Sequence, residues 1–203
     1  MVQKEARLEV IAGTMFGGKS SELIRRIRRH EIVGMKVQVF GPSIDIRYGK
    51  NNITSHDKLQ KEASYVGSVQ ELEEHVYPFT QVIGIDEVQF FEGSIIDACE
   101  RYANQGKVVI AAGLLKDFRD DYFPFKDGKK NMSDLLRAAD LTTILSAICN
   151  AKNGNDEICG SDATRVQRYI NGEVAPYDSP VVQVGGTESY APRCRRHYQF
   201  YKN

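Results

Sequence analysis

Residues 8–20 read LEVIAGTMFGGKS, and this stretch decides the fold of the 203-residue chain. Its apolar first part, Leu8–Ala12, is typical of a buried strand, and a helix-like stretch begins at Ser20. Between them the chain fits the pattern GxxxxGK[ST], whose glycines let the backbone direct several N–H groups at one phosphate chain. The lysine adds positive charge for the terminal phosphates, and the serine hydroxyl is a Mg²⁺ ligand. We therefore predict nucleoside triphosphate binding by Gly13, Thr14, Met15, Phe16, Gly17, Gly18, Lys19 and Ser20.

The composition argues against several classes of protein. Lysine and arginine number 27, and so do aspartate and glutamate, so no net charge favours nucleic acid or a membrane surface. The sequence contains no apolar run of about 20 residues, the length that crosses a bilayer. We expect a cytoplasmic protein whose 4 cysteines stay reduced.

Alternating strand and helix patterns predict an α/β fold. Near-continuous apolar runs such as 82–85 and 108–112 suit parallel strands covered on both faces. We predict a doubly wound parallel sheet with ligands at the carboxyl ends of its strands. Strands are predicted at 8–12, 36–40, 81–86, 107–112 and 141–148, and helices at 20–32, 69–77, 94–105 and 133–139.

The character of the sequence changes after Ile148, where cysteine, glycine and proline replace the long helical patterns. We predict a nucleotide-binding domain over residues 1–148 and a small lobe over residues 149–203. Cys99 differs from the other cysteines, because it shares one helix face with Ile95 and Tyr102. It is expected to be a buried structural thiol.

The run Asp86-Glu87-Val88-Gln89-Phe90-Phe91 follows the predicted strand 81–85. A carboxylate at the carboxyl end of such a strand is where a phosphate-loop fold needs a second Mg²⁺ anchor, usually through water. Strand alternation puts Glu87 on the opposite side from Asp86, so the two acids can serve metal and substrate separately.

Five blocks in order along the chain resemble the thymidine kinase family of the cellular and bacterial type, type II. They are GTMFGGKSSEL at 13–23, DEVQFF at 86–91, AGLLKDFR at 112–119, VGG at 184–186 with Tyr190, and CRRH at 194–197. The resemblance implies transfer of the ATP γ-phosphoryl group to the 5′-hydroxyl of thymidine, and of deoxyuridine, with Glu87 as general base. It also implies a homotetramer and feedback inhibition by thymidine triphosphate.

The resemblance assigns further site residues. A loop over the phosphates falls on 41–59, and the nucleotide-binding positions outside the glycine-rich loop are Asp45, Ile46, Arg47, Asp86, Glu87, Val88 and Gln89. Phe118 falls on the thymine-stacking position and Tyr190 on a base-contacting tyrosine. A lasso segment, whose main chain pairs with the thymine edge, falls on Val181, Val182, Gln183, Val184 and Gly185.

The resemblance also implies a structural zinc site built from two close-spaced knuckles, and here the chain departs from the pattern. The second knuckle is intact as Cys194 and His197, whereas Cys149 and Cys159 enclose the insertion 150–158. Both flanks of the insertion match the family, so we interpret it as an insertion within the first knuckle. These four residues then form a Cys₃His site for Zn²⁺, beside the Mg²⁺ that accompanies ATP.

Other departures leave the implied chemistry intact. Thr14 stands where the family's loop usually has proline. The stretch 120–123 is longer than usual, which leaves open whether Phe123 or Phe125 lines the base pocket.

Two other functions stay open at this stage. One is a regulatory phosphate-loop protein whose zinc lobe binds nucleic acid or protein, and the other is a kinase of another deoxynucleoside. The balanced charge, and the lack of a basic run interleaved with aromatic residues, count against nucleic acid. The expected partners are therefore ATP and thymidine, with neither nucleic acid nor membrane.

Overall fold

The computed structural model describes residues 6–45, 52–54, 59–182 and 189–201. Ile46, Arg47, Gln183, Val184 and Gly185, all predicted site residues, lie outside the described residues. The helices are α1 (Lys19–Ile32), α2 (Val69–His75), α3 (Ile95–Asn104) and α4 (Met132–Ala138). The strands are β1 (Arg7–Gly13), β2 (Val37–Pro42), β3 (Asn52–Thr54), β4 (Gln60–Glu62), β5 (Ser64–Val66), β6 (Val82–Ile85), β7 (Val108–Leu114), β8 (Leu141–Leu145), β9 (Ala147–Ile148), β10 (Asp162–Ala163), β11 (Arg165–Ile170), β12 (Glu173–Val174) and β13 (Tyr190–Arg193).

A parallel sheet forms the centre of the molecule. Within the described residues it has six strands in the order β5-β2-β6-β7-β1-β8. Because the strands all run the same way, the carboxyl ends of β1 and β6 lie at the same edge, with β7 between them. The predicted α/β fold with a parallel sheet is confirmed.

Helices cover both faces of this sheet, as near-continuous apolar strands require. Ile11, Val82 and Ile110 face α1, whose apolar side chains complete one buried cluster. Their sequence neighbours Val10 and Ile83 face the other way, into a second cluster that α2, α3 and α4 cover. The sheet is therefore wound on both sides, and its carboxyl edge is left to the loops.

Cys99 lies on the buried face of α3, where 1% of its surface is exposed. Burial raises the pKa of its thiol to about 12, because the thiolate would lose its hydration. The prediction of a buried structural thiol is confirmed.

The segment 141–148 was predicted as one strand, and this prediction is wrong. The chain leaves the parallel sheet after Leu145, and Ser146 separates β8 from β9, which pairs with β10 in an antiparallel hairpin. The Ser146 hydroxyl donates to the Asp162 carboxylate at 2.9 Å. This hydrogen bond lies where the chain passes from the parallel sheet to the antiparallel pair.

The described residues after Ile148 contain four short antiparallel strands, none of which was predicted from the sequence. The strands β12, β11 and β13 form one small sheet, and β13 pairs with β11 from Arg193 opposite Arg165 to Tyr190 opposite Arg168. The division into domains at residue 149 stays a prediction. In the part of the chain that is described, no helix is both long and apolar enough to span a membrane.

Candidate active site

The loop between β1 and α1 has the form of a phosphate cradle. A Cβ on Gly13 would lie 2.3 Å from the Leu145 carbonyl oxygen, so glycine alone lets β1 pass β8 this closely. Gly18 precedes α1 with a φ of 78°, which is strained for other residues. The N–H groups of the first turn and the positive dipole end of α1 are thereby directed toward the loop, where they attract an anion.

Lys19 begins α1 and supplies a cation inside this cradle. Its side chain is buried, and Nζ donates to the Thr14 carbonyl oxygen at 2.9 Å. Burial lowers the pKa of Lys19, while the charges of Glu87 and Asp86 oppose that shift. The ammonium group is therefore held between the loop and the two acids that follow β6.

Asp86 faces the loop from the carboxyl end of β6. It is 6% exposed, and its carboxylate is hydrogen-bonded to the Ser20 hydroxyl and to the Glu87 amide. Burial, and then the charge of Glu87, raises the pKa of Asp86 to about 7, against the effects of Ser20 and Lys19. Hydroxyl and carboxylate oxygens side by side are ligands that suit Mg²⁺, and a divalent cation would neutralise the crowded acids.

The prediction that strand alternation places Glu87 on the opposite side from Asp86 is wrong. β6 ends at Ile85, and Glu87 adopts the left-handed conformation (φ 46°, ψ 44°) before the 3-10 turn Val88–Phe90. Such backbone is uncommon for a residue other than glycine and is concentrated at functional sites. A turn, rather than a pleat, separates the two carboxylates.

A cavity of about 450 Å³ adjoins the turn that follows Glu87. This volume is in the range of pockets that hold small organic ligands. Its walls are mainly apolar, and the lining residues that bear on substrate binding are Ile44, Gln89, Phe90, Phe123, Phe125, Pro180, Val181 and Val182.

Phe118 and Tyr190 lie in a separate buried cluster that Met15 contacts. The Arg168 guanidinium lies over both rings, 5.2 Å from the centroid of Phe118 and 6.0 Å from that of Tyr190. It also donates to the Pro180 carbonyl oxygen at 2.6 Å, at the start of the predicted lasso. Arg168 therefore connects the aromatic cluster with the cavity wall.

The site region also contains a cluster of possible metal ligands. It consists of Cys149, Cys159, Cys194 and His197, whose ligand atoms all lie within 4.8 Å of one another. The His197 Nδ1 is 3.6 Å from Cys149 Sγ and 3.4 Å from Cys194 Sγ, and Cys159 Sγ is 4.0 Å from Cys194 Sγ. Ordinary zinc bond lengths in a tetrahedron place two sulfurs about 3.8 Å apart and sulfur and nitrogen about 3.5 Å apart. The cluster fits a tetrahedral zinc ion.

The insertion 150–158 folds into a hairpin whose neck brings Cys149 and Cys159 together. Cys149 N donates to Ser161 O at 2.8 Å, Cys159 N to Ala151 O at 2.8 Å, and Asn153 N to Glu157 O at 2.8 Å. Because a hairpin brings the two ends of a segment together, Cys149 and Cys159 lie close enough to bind one metal ion despite the inserted residues. Hydrogen bonds with Ser161 lower the pKa of Cys159 to about 6, which favours the thiolate that binds metal.

A comparison with known protein families matches nearly the whole chain. The family model described as thymidine kinase matches residues 6–198. The chain belongs to the thymidine kinase family. Members of this family are kinases that phosphorylate thymidine, so the chain is an enzyme of that class.

Most of the described residues that the thymidine kinase resemblance assigned fall into two groups. The loop residues, Asp86 and Glu87 meet at the carboxyl edge, and Gln89, Val181 and Val182 line the cavity beside it. Asp45 ends the short turn Ser43–Asp45 that follows β2. Phe118 and Tyr190 are not among the described residues that line the cavity, although Arg168 connects them to it.

Sequence reasoning assigned no role to two residues of this candidate site, Phe90 and Arg168. Phe90 belongs to the block DEVQFF at 86–91 and lines the cavity. Phe123 and Phe125 are both buried and both line the cavity, so which of them lines the base pocket stays open. No sequence signal indicates Arg168, because its partners lie far away along the chain.

Proposed function

We propose that the chain transfers the γ-phosphoryl group of ATP to the 5′-hydroxyl of thymidine and deoxyuridine, with Glu87 as the general base. The observation that carries this proposal is the meeting of Lys19, Ser20, Asp86 and Glu87 at one edge of the sheet. A cavity of nucleoside size adjoins this edge.

Phosphoryl transfer depends mainly on positioning and on stabilising negative charge. In this proposal the amides of the loop 13–20 hold the phosphates, and Lys19 approaches the transferred group. Ser20 and Asp86 would hold Mg²⁺, the aspartate through water. Bound with ATP, the ion would neutralise phosphate charge that Lys19 alone could not balance.

Glu87 accepts the proton of the 5′-hydroxyl, which is a weak nucleophile until it loses that proton. A positioned base contributes about 10²–10⁴-fold to the rate. Asp86 is the acid that contacts Ser20, so Asp86 would serve the metal while Glu87 stays available for the substrate.

The nucleoside is proposed to enter the cavity between the 3-10 turn and the segment Pro180–Val182. Its aromatic walls suit a planar base, and the main chain of Val181–Gly185 would read the pyrimidine edge. Phe118 and Tyr190 would contact the base from the neighbouring cluster. A confined pocket of this kind would reject a purine.

Zinc is proposed as a structural ion held by Cys149, Cys159, Cys194 and His197. Four protein ligands leave no open coordination position, so such an ion performs no chemistry. The homotetramer and the feedback inhibition by thymidine triphosphate stay predictions of the family resemblance.

Replacing the base tests the mechanism. Glu87→Gln keeps the shape of the side chain and removes the proton acceptor, so kcat should fall about 10²-fold or more while ATP binding is retained. Lys19→Met should weaken both ATP binding and transfer, because it deletes a charge beside the phosphates. Near-normal kcat in Glu87→Gln would remove Glu87 from the catalytic role.

A panel of nucleosides with radiolabelled ATP tests the substrate. We expect transfer to thymidine and deoxyuridine and none to deoxyadenosine or deoxyguanosine. Comparable rates on the purines would contradict the proposed pyrimidine pocket. Binding of ATP without transfer to any nucleoside would instead support a regulatory phosphate-loop protein.

A further inference from the structure

The side chain of Gln89 makes one bond to Glu87 and one to the central sheet. It is 1% exposed, and its amide nitrogen donates to Glu87 Oε2 at 2.5 Å. Its amide oxygen accepts a hydrogen bond from the Leu114 backbone N–H, at the end of β7, at 3.0 Å. One buried amide thus links the proposed base to a rigid strand.

Neighbouring groups hold this amide in one position. Backbone bonds from Phe90 N to Glu87 O and from Phe91 N to Val88 O, at 3.1 and 3.2 Å, close the turn that carries Gln89. Across from it, a Cβ on Gly113 would lie 2.5 Å from Gln89 Oε1 and 2.8 Å from Val88 Cγ1. The absent side chain at residue 113 is therefore the space in which the Gln89 amide sits.

We propose that Gln89 is a positioning residue that orients the Glu87 carboxylate toward the substrate hydroxyl, and that Gly113 is required to seat it. The inference rests on the proposed function of Glu87 as base. The bond from Gln89 fixes the position of one carboxylate oxygen, so its benefit is orientation. A fixed carboxylate stays in reach of the proton, and a misplacement of about 1 Å can cost about 10²-fold in rate.

Gln89 also lines the cavity, and the family resemblance assigned it to nucleotide binding. A direct contact with nucleotide or nucleoside would make Gln89 a ligand, and its loss would raise a KM. A positioning residue acts through Glu87, so its loss would lower kcat and leave both KM values in place. The two roles therefore differ in a measurable way.

Gln89→Met keeps a side chain of similar length and removes both hydrogen bonds. We expect kcat to fall about 10- to 100-fold, with the KM for thymidine and for ATP each within about twofold. Gln38→Met is the matched control, because the Gln38 amide likewise bonds main-chain groups, His75 O and Tyr77 N, at the start of β2. It should lower stability and leave kcat within about twofold.

Two further variants connect the effect with Glu87. In a Glu87→Gln background, Gln89→Met should lower kcat by less than about twofold more, because groups that act as a unit are not additive. Gly113→Ala should reproduce the kcat loss of Gln89→Met, since the new methyl group displaces the amide. Gly154→Ala is its control, because a Cβ there meets no atom within 4 Å.

Each other outcome overturns the inference. A raised KM for thymidine or ATP in Gln89→Met would make Gln89 a direct ligand, and a full additive loss in Glu87→Gln would make its role independent of the base. A normal kcat in both Gln89→Met and Gly113→Ala would show that Gln89 does not position the Glu87 carboxylate. This outcome would leave the proposed function intact. Normal kcat in Glu87→Gln alone would overturn the proposed base, and the inference with it.

Discussion

Thr14 ties the phosphate loop to the parallel sheet through its amide and to the small lobe through its hydroxyl. The amide donates to Leu145 O at 3.4 Å, and the hydroxyl donates to Ala163 O in β10 at 3.2 Å. Its carbonyl oxygen meanwhile accepts the hydrogen bond from Lys19. The family's usual proline could supply neither donor. A single substitution in the loop thus gives this chain a direct connection between the phosphate cradle and the strands beside the metal cluster.

The raised pKa of Cys99 predicts that the free energy of unfolding falls at alkaline pH. Its folded pKa is about 12 against an ordinary 9.0, so the unfolded chain releases this proton first as the pH rises. The folded state then binds more protons than the unfolded state, and stability falls with pH. Its contribution is complete below about pH 9 and is lost progressively toward pH 12. The free energy of unfolding should lose about 1.4 kcal/mol between pH 7 and pH 10 from this residue.

Urea denaturation of the wild type and Cys99→Ala at pH 7, 9 and 10 measures this contribution. The variant is less stable at pH 7 because it leaves a cavity in the core. The difference between the two proteins should narrow by about 1.4 kcal/mol at pH 10. Parallel pH dependences would show that the thiol stays protonated in both states or in neither.

At the scale of elements, β11 shows what the sequence could and could not predict. The central strands β1, β2, β6 and β7 are apolar runs and were predicted within a few residues of their observed bounds, whereas β8 ends before its predicted end and β5 was not predicted. β11 reads RVQRYI, yet Arg165, Gln167 and Arg168 are all buried. Their burial depends on ring faces, an aspartate and a carbonyl group from distant segments, which no local pattern reveals. The predicted contact of Phe118 and Tyr190 with the base therefore rests only on the family resemblance.

Arg168 should control thymidine binding through the segment that begins at Pro180. Arg168→Met removes a charged hydrogen bond to Pro180 O and the guanidinium over Phe118, and such a bond is worth about 1.5–3 kcal/mol. We expect the KM for thymidine to rise about 10-fold or more, with the KM for ATP within about twofold. Steady-state kinetics with each substrate varied in turn give both values.

Arg165→Met is the matched control for Arg168→Met. Arg165 is also buried on β11, on the opposite strand face, where it bonds Asp120 at 3.0 Å and lies over Tyr198 and Phe200. The Arg165→Met variant should have a lower free energy of unfolding and a KM for thymidine within about twofold of the wild type. An equal rise in both variants would show a general loosening of the lobe.

At the scale of the whole molecule, the four predicted zinc ligands flank, along the chain, most of the elements that contact the buried cluster of Phe118 and Tyr190. Cys149 and Cys159 precede β11, and Cys194 and His197 follow β13, so Arg168, Pro180 and Tyr190 all lie between the two pairs. The four atoms close this long segment without a large apolar core of their own, since the buried cluster around them is small. The phosphate loop is held mainly by the parallel sheet, with one hydrogen bond from Thr14 to β10. Metal binding should therefore stabilise one substrate site more than the other.

Zinc removal tests this difference between the two sites. Purified protein should carry about one zinc per chain, and a chelator should weaken thymidine binding more than ATP binding, as measured by calorimetry. Cys159→Ser should lose zinc, because Cys159 is the ligand whose assignment depends on the hairpin 150–158. Cys99→Ala is the control, since it also removes a cysteine and should keep full zinc content. Full zinc content in Cys159→Ser would show that Cys159 is not a ligand and that the insertion does not lie within the knuckle. An equal loss of thymidine and ATP binding on chelation would show that the metal supports the whole fold.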